Sequence, residues 1–503
     1  MDGLEGIKII SAKEMARLEQ EAILEGISPE KFMTQAAENL AQAIDELVCE
    51  LGAPKNITVI AGKGNNGGDG LATALCLLAR GFSVKAFCLY PIEKCSPLNR
   101  KFFRLLSAKI PVEPWDDSSC FLEKGCVLDA ICGTGFQQEP DAIMNSAIEK
   151  INASSLLVVS IDIPSGLDGN LGVTQPHIVK AHTTFFLEMA KTGFFIQGGF
   201  AFVGQLKKIA FGLPQKFHDR ALAFGYLLQE DHLKQTLPVM DRLQHKYSRG
   251  YVVGVAGSQG MSGAALLASL GAMRSGAGIV RLFHRCAAQE IAAQKFLEVI
   301  TSSLDLEHPE EFFEQEHRAR ALFFGPGLGQ EISCLQHVLD LLQRCSKPCV
   351  VDADLLEPYA QDTRKFSSEI IMTPHRKEML RCLGKLEISN DEDFFEDIQG
   401  FVEEKKVVVV LKGAPTLIFA PKKPLLVMVH GDKGMATAGS GDILSGMIAG
   451  LLSRGMRTRE AAALAVYIHG RAGEIAASKK TSQSMIATDI LEHIPDVFAA
   501  EFA

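Results

Sequence analysis

The sequence predicts an α/β protein built from two doubly wound domains in tandem, and three observations predict it. Short, almost wholly apolar runs alternate with helical stretches in both halves, the pattern of parallel strands covered on both faces. The rhythm breaks once, from Gln215 to Arg249, in a charged stretch without strand periodicity. Finally, 503 residues are too many for one ordinary domain. The boundary is expected inside that break, giving domains of residues 1–222 and 223–503.

In the first half, Ser11–Leu47 reads as two helices, with Ser11 as N-cap and Glu14 at the capping-box position. Strands are expected at Asn56–Ala61, Ser83–Tyr90, Cys126–Ile131 and Leu156–Ile163. Helices are expected between them at Gly70–Ala79, Pro97–Ser107 and Pro140–Ile151. The second half opens with strands at Gly250–Ala256, Gly278–Phe283, Ala319–Phe324 and Pro348–Asp352, and helices at Ser262–Ser275 and Glu331–Leu342. Val407–Lys412, Thr416–Phe419 and Pro424–Val429 read as neighbouring strands near the sheet edge. Two long helices follow, Gly439–Leu452 and Arg459–Ala477.

Composition removes several function classes. A formal net charge of -9, with no local basic run, leaves no electrostatic footprint for nucleic acid. No apolar run is long enough to span a bilayer, so no membrane partner is expected. The acidic start Met1–Glu5 lacks the layout of a signal peptide. The 12 cysteines show no paired CxxC spacing, which argues against structural zinc and for reduced thiols in a cytoplasmic setting.

The chemistry gathers in glycine-rich turns. GMATAGSGDILSG, Gly434–Gly446, runs a glycine turn into an apolar helix with Asp442 at its start. A helix N-terminus offers unpaired N–H groups to phosphate, and an aspartate there can take a proton from an attacking hydroxyl. Ser and Asp are also ordinary N-cap residues, so this loop alone does not choose between cap and site. Upstream, NITVIA leads into GKGNNGGDG, where five glycines in nine residues allow the backbone to wrap a phosphate-bearing ligand. Asn65, Asn66 and Asp69 inside it are oxygen donors suited to a hard cation or to ribose hydroxyls. LDAICGTG places Asp129 at a strand end, and IDIPSGLDG does the same for Asp162 and Ser165. Ligands of open parallel sheets bind beyond the carboxyl ends of the strands, so these segments are expected to converge.

Strung together with GSQGMSGAALLA, GPGLG, TPH and KGAPT, these motifs resemble, over nearly the whole chain and in the same order, the family of bifunctional NAD(P)H-hydrate repair enzymes. The resemblance implies a Rossmann-like epimerase domain followed by a ribokinase-like, ADP-dependent dehydratase domain acting on the hydrates NADHX and NADPHX. In the first, Asn65, Asn66, Gly67, Gly68 and Asp69 are implied to hold the hydrated nucleotide. Asn66, Asp129 and Ser165 are implied to coordinate potassium, and Asp162 to act as acid and base. The turn GTGFQQEP, from Gly133 through Thr134 and Gly135, is implied to close over the substrate phosphates.

In the second domain the resemblance implies substrate contacts at Ala264, Gly327, His375 and Asp442. It assigns an adenine-nucleotide site to Lys412, Gly413, Ala414, Pro415, Thr416 and Gly441. Asp442 is the implied base, with ADP as phosphate donor and magnesium as the charge-neutralising ion. Arg376 and Lys377 replace the Pro-Gly usual after His375 and read as a solvated helix start. The segment His245–Gly250 lacks a customary glycine, and Met33–Ala37 lacks the acidic residue and glycine often found there. Asp352 and Asp354 read as helpers for magnesium or substrate, or as a helix cap. Trp115 is expected at a surface or interface. The phenylalanines near Phe185 and Phe194 read as core or subunit interface, with self-association the expectation. Two other readings remain: a small-molecule kinase on the second scaffold, and a first domain that binds a nucleotide without catalysis.

Overall fold

A computed structural model describes residues 3–116, 118–136, 139–293 and 297–502. The chain divides into two compact units, Ile7–Gly225 and Met1–Gly6 with Tyr226–Ala503.

In the first unit, strands β1 (Ile7–Ile10), β2 (Asn56–Ala61), β3 (Ser83–Cys88), β4 (Val112–Pro114), β5 (Cys126–Ala130), β6 (Leu157–Ile161), β7 (Thr183–Leu187), β8 (Ala190–Lys191) and β9 (Gln205–Ile209) follow in turn. Seven of them form a sheet in the order β4-β3-β2-β5-β6-β7-β9. Every pairing in it is parallel. The order reverses between β2 and β5, which creates the crevice where doubly wound sheets bind ligands. β1 pairs only briefly with β8, at Ile9 and Ile10.

The helices stand where periodicity puts them, with one exception that matters for the site. Ser11 does cap the helix Ala12–Leu24, its hydroxyl accepting from Glu14 N. The Glu14 carboxylate instead turns to Arg17 and to Leu222 N, so the capping box is half made. The helix expected from Gly70 begins five residues earlier, spanning Asn65–Ala79. Two of its glycines allow close packing. A β-carbon at Gly67 would lie 2.2 Å from Gly62 O, and one at Gly70 2.4 Å from the Ala130 side chain.

Of the two readings of the phenylalanine runs, core or subunit interface, burial supports the core. Phe185, Phe186 and Phe194 are fully buried. Trp115, read as a surface or interface residue, is also buried, set edge-on to Phe87 at 5.6 Å. The short strand β4 carries it back over β3, where its ring completes an apolar cluster with Ile148 and Val127.

The second unit opens with β10 (Gly225–Leu227) and continues through β11 (Tyr251–Val255), β12 (Ile279–His284), β13 (Ile300–Ser303), β14 (Ala321–Phe324), β15 (Cys349–Val351), β16 (Ile370–Met372), β17 (Val408–Leu411), β18 (Thr416–Phe419) and β19 (Leu425–Met428). The strand order is β13-β12-β11-β14-β15-β16-β17-β18-β19-β10. It is parallel as far as β17, then antiparallel through β18 and β19. Two helices, Ser262–Arg274 and Ser440–Ser453, meet backbone to backbone. A β-carbon at Gly446 would stand 1.8 Å from Ala268 O, and one at Gly271 2.4 Å from Ile443 O. The described cysteines are all free thiols. No helix among the described residues is long and apolar enough to cross a membrane.

Candidate active sites

In the first unit the expected segments come together. β2 ends at Ala61 and turns through Gly62 into the helix at Asn65; a β-carbon at Gly62 would meet Ile131 O at 2.0 Å. One at Gly133 would stand 3.2 Å from both the Asn66 side chain and Asp162 Oδ2. The turn after Gly133 carries Thr134 and Gly135 beside this crevice, while Gln137 and Gln138 lie outside the described residues.

Asn66, Asp129 and Ser165 meet around the peptide of Cys132. Asn66 Nδ2 donates to Cys132 O at 2.7 Å, and Cys132 N donates to Ser165 Oγ at 2.9 Å. The Ser165 hydroxyl in turn donates to Asp129 Oδ1 at 2.5 Å. Asp129 Oδ2 accepts from Ser160 Oγ and Ser165 N. Burial pushes the Asp129 carboxyl above the usual carboxylate range, although those hydrogen bonds oppose it. Asn66 Oδ1 is buried and has no partner. An orphaned amide oxygen within a set of oxygen ligands is the environment a weakly hydrated monovalent cation satisfies.

Asp162 adopts φ 64, in the left-handed region that a non-glycine residue enters only when its surroundings impose it. Its Oδ1 accepts from Lys191 Nζ at 2.8 Å and its Oδ2 from Thr134 N at 3.1 Å. Lys191 is fully buried. Two further carboxyls belong to this neighbourhood. Burial, with Asp162 and Glu19 adding repulsion, drives Asp69 well above the carboxylate range. Burial and Asp162 push Glu19 up to about 7. Only Asp162 is hydrogen-bonded to the buried ammonium, and burial disfavours charge on both Asp69 and Glu19. Neither Glu19 nor Lys191 was expected from the sequence. Glu19 lies in an ordinary amphipathic helix and carried no signal, whereas a lysine closing the apolar run before Lys191-Thr192-Gly193 was a usable one.

In the second unit, Gly439 sits at φ 92 and leads the helix Ser440–Ser453, with Asp442 in its first turn. Burial, reinforced by Asp352, raises the Asp442 carboxyl to about 6 while Lys412 opposes the shift. Lys412 Nζ donates to Asp352 Oδ1 at 3.0 Å and lies 3.9 Å from Glu378. Burial opposes its charge, yet Asp352 and Glu378 hold the ammonium above the usual lysine range. A β-carbon at Gly441 would stand 3.1 Å from that ammonium. Lys412, Gly441 and Asp442 therefore do share one site. Gly413, Ala414, Pro415 and Thr416 form the turn between β17 and β18, closed by Thr416 Oγ1 donating to Gly413 O at 3.0 Å.

Asp352 stands at the cap position of the short helix Ala353–Leu355 without capping it through its side chain. No cap hydrogen bond forms at its side chain, and its second oxygen accepts from Ser445 Oγ. Asp354 Oδ2 accepts from Gly329 N at 2.9 Å, which ties the GPGLG turn to the same corner. Gly327 and Ala264 are neighbours, a β-carbon at the first standing 3.2 Å from the Ala264 methyl. His375 caps the helix Arg376–Cys382 in a reciprocal box with Glu378, and the residue it follows, Pro374, accepts from Lys412 N. Arg376 pairs with Asp391 at 2.6 Å and covers the Phe394 ring, facing the neighbouring helix Asp391–Lys405. Sequence reasoning missed Ser445 and His469. The latter is buried, stands 3.4 Å from Ser440 Oγ, and burial lowers it to about 4, so it is neutral behind the helix start. Among the described residues, no group of three or more His, Cys, Asp or Glu side chains is arranged to hold a metal ion.

These two sites define an α/β enzyme with two candidate centres, one at a cluster of buried carboxyls and one at a helix start beside a lysine. Residues 29–193 match the family described as YjeF-related protein N-terminus, and residues 252–496 the family described as NAD(P)H-hydrate dehydratase. The chain belongs to the family of bifunctional NAD(P)H-hydrate repair enzymes. It is 33% identical to the bifunctional NAD(P)H-hydrate repair enzyme Nnr of Moorella thermoacetica, across 97% of this chain and 96% of that one. The Escherichia coli protein of the same name is 29% identical across 97% of this chain and 94% of its own. Among solved structures, ADP/ATP-dependent NAD(P)H-hydrate dehydratase from Bacillus subtilis, co-crystallised with ATP and Mg2+, aligns at 28% identity and a TM-score of 0.48, covering 54% of this chain and 96% of that one.

Proposed function

We propose that this chain repairs hydrated nicotinamide nucleotides. Residues 1–222 interconvert the R and S forms of NADHX and NADPHX. Residues 223–503 dehydrate the S form to NADH or NADPH, converting ADP to AMP and phosphate. The observation that carries the reading is the grouping of Lys412, Gly441 and Asp442 at one helix start.

In the dehydratase, Asp442 takes the proton of the added hydroxyl as that oxygen attacks the terminal phosphorus of ADP. The bond from phosphorus to the bridging oxygen breaks and AMP departs. Phosphate then leaves the ring carbon far more readily than hydroxide does, and loss of the neighbouring proton restores the dihydronicotinamide. Lys412, held by Asp352, and the N–H groups of the Gly439–Ser440 turn offset charge on the transferred group. Magnesium supplies further neutralisation when bound. Asp354, whose Oδ2 alone is engaged by Gly329, is the carboxylate suited to hold it.

In the epimerase, Asp162 gives a proton to the departing hydroxyl of the hydrated ring carbon and recovers one from the water that adds to the opposite face. Asn65, Gly67, Gly68 and Asp69 line the nucleotide site with Gly133, Thr134 and Gly135. Asn66, Asp129 and Ser165 would hold potassium, which supplies positive charge there; the unpartnered Asn66 Oδ1 fits that use. The test is recovery of NADH absorbance from mixed NADHX epimers with ADP, magnesium and potassium. Full recovery supports both activities, recovery that stalls partway removes the epimerase, and a stable phosphorylated product turns the second domain into a small-molecule kinase.

A further inference from the structure

We infer that Lys191 is the positioning residue of the first site, orienting Asp162 so that only its Oδ2 works on substrate. The inference rests on the epimerase reading above. Lys191 is fully buried, and its Nζ donates to three acceptors: Asp162 Oδ1 at 2.8 Å, Met189 O at 2.9 Å and Leu187 O at 3.0 Å. An ammonium has three protons to donate, so none remains for a substrate. The lysine therefore acts through the aspartate and does not touch the reacting atoms itself.

The carboxylate is correspondingly divided. Oδ1 belongs to the lysine. Oδ2 takes only a longer contact from Thr134 N, at 3.1 Å, and faces the glycine turn at Gly133. One oxygen is fixed and the other is left to exchange a proton. The backbone adds to this: Asp162 is held at φ 64 while its N–H donates to Phe185 O at 2.8 Å, so the residue cannot relax without breaking the strand end.

The lysine is itself held by the kink between β7 and β8. Glu188, in that kink, is buried with φ 56, and its Oε1 accepts from Phe211 N, Gly212 N and Leu213 N. That clasp fixes the carbonyls of Leu187 and Met189, which in turn fix Nζ. No other ammonium or guanidinium contacts Asp162 among the described residues. The carboxyls of Glu19 and Asp69 act on it with the opposite sign.

The experiment follows conversion of a single NADHX epimer to the other by chiral chromatography, on the full-length protein without ADP. Lys191→Met is expected to lower kcat at least tenfold with KM within threefold, and Lys191→Arg to regain a clear part of that loss. Dehydration of the S epimer by the same preparations reports that the second domain is intact. A loss below tenfold, a KM that rises in step, or an arginine variant no better than the methionine one overturns the inference. Where Lys191→Met does not fold, Lys191→Arg decides alone: kcat about tenfold down with KM kept supports positioning, because the planar fork cannot reproduce the point charge. Unchanged kcat, or none, refutes it. Absence of epimerisation in the unaltered protein would instead dismiss the epimerase reading.

Discussion

Lys412 is tethered to Asp352, its Nζ 3.0 Å from Oδ1, while Ser445 occupies the other oxygen of the same buried carboxylate. Asp352 is thus a post that sets where the ammonium stands beside Gly441. Asp352→Asn leaves Lys412 with Glu378 alone, 3.9 Å away. ADP binding by the full-length protein, measured calorimetrically, is expected to weaken by about tenfold, the effect of losing roughly 1–2 kcal/mol. Epimerisation is expected to be unchanged.

Dehydration should fall with acid earlier than an ordinary aspartate would dictate. Burial, then Asp352, places Asp442 at about 6. The base must be deprotonated to accept a proton, so activity is present above that value and is lost as pH falls through it. The kcat profile is expected to show this acid limb, and Asp352→Asn to move it to lower pH by removing one source of repulsion. A limb near the ordinary aspartate value would contradict the role given to Asp442.

The two activities should separate by single changes. Asp442→Asn is expected to lower dehydration by about 10²–10⁴-fold, the usual worth of a general base, and to spare epimerisation. Asp162→Asn is expected to do the reverse. Measuring both reactions on each folded variant checks the division of labour.

Packing in the second unit makes its own prediction. At Gly446 a β-carbon would stand 1.8 Å from a backbone oxygen, Ala268 O, which has no rotamer to yield. Gly446→Ala is expected to cost about 1–3 kcal/mol or more by overpacking, read as a shift of the urea midpoint for dehydratase loss.

Trp115 offers a check on the units. The chain has 1 tryptophan, buried in the first unit against Phe87. Its fluorescence during denaturation is expected to track loss of epimerase activity and to ignore loss of dehydratase activity. A signal that followed the dehydratase would mean that the units unfold together.

Much of this was legible in the sequence, for reasons particular residues make plain. Strands such as Asn56–Ala61 and Thr416–Phe419 announce themselves because both faces are buried. β1 and β13 do not, since neither is buried along its length. Asn65–Asp69 looked like a loop because glycine is a poor helix former; tertiary crowding at Gly62, Asn99 and Ala130 overrides that propensity. Local motifs carried Asp162, Asp442 and Lys412. Their supports lay hidden in sequence distance: Lys191 stands 29 residues from Asp162, and Ser445 93 from Asp352. Only folding makes such pairs neighbours.

The seam between Ser262–Arg274 and Ser440–Ser453 has a mechanical meaning. Glycine at positions 271, 446 and 450 brings main chain onto main chain, with no side chain between to change rotamer. Ala264 near the start of one helix and Asp442 at the start of the other therefore ride on a single rigid body. The turns that feed those helices carry glycines in the left-handed region, Gly257 and Gly260 on one side and Gly439 on the other. The joint is a weld of main chain on main chain.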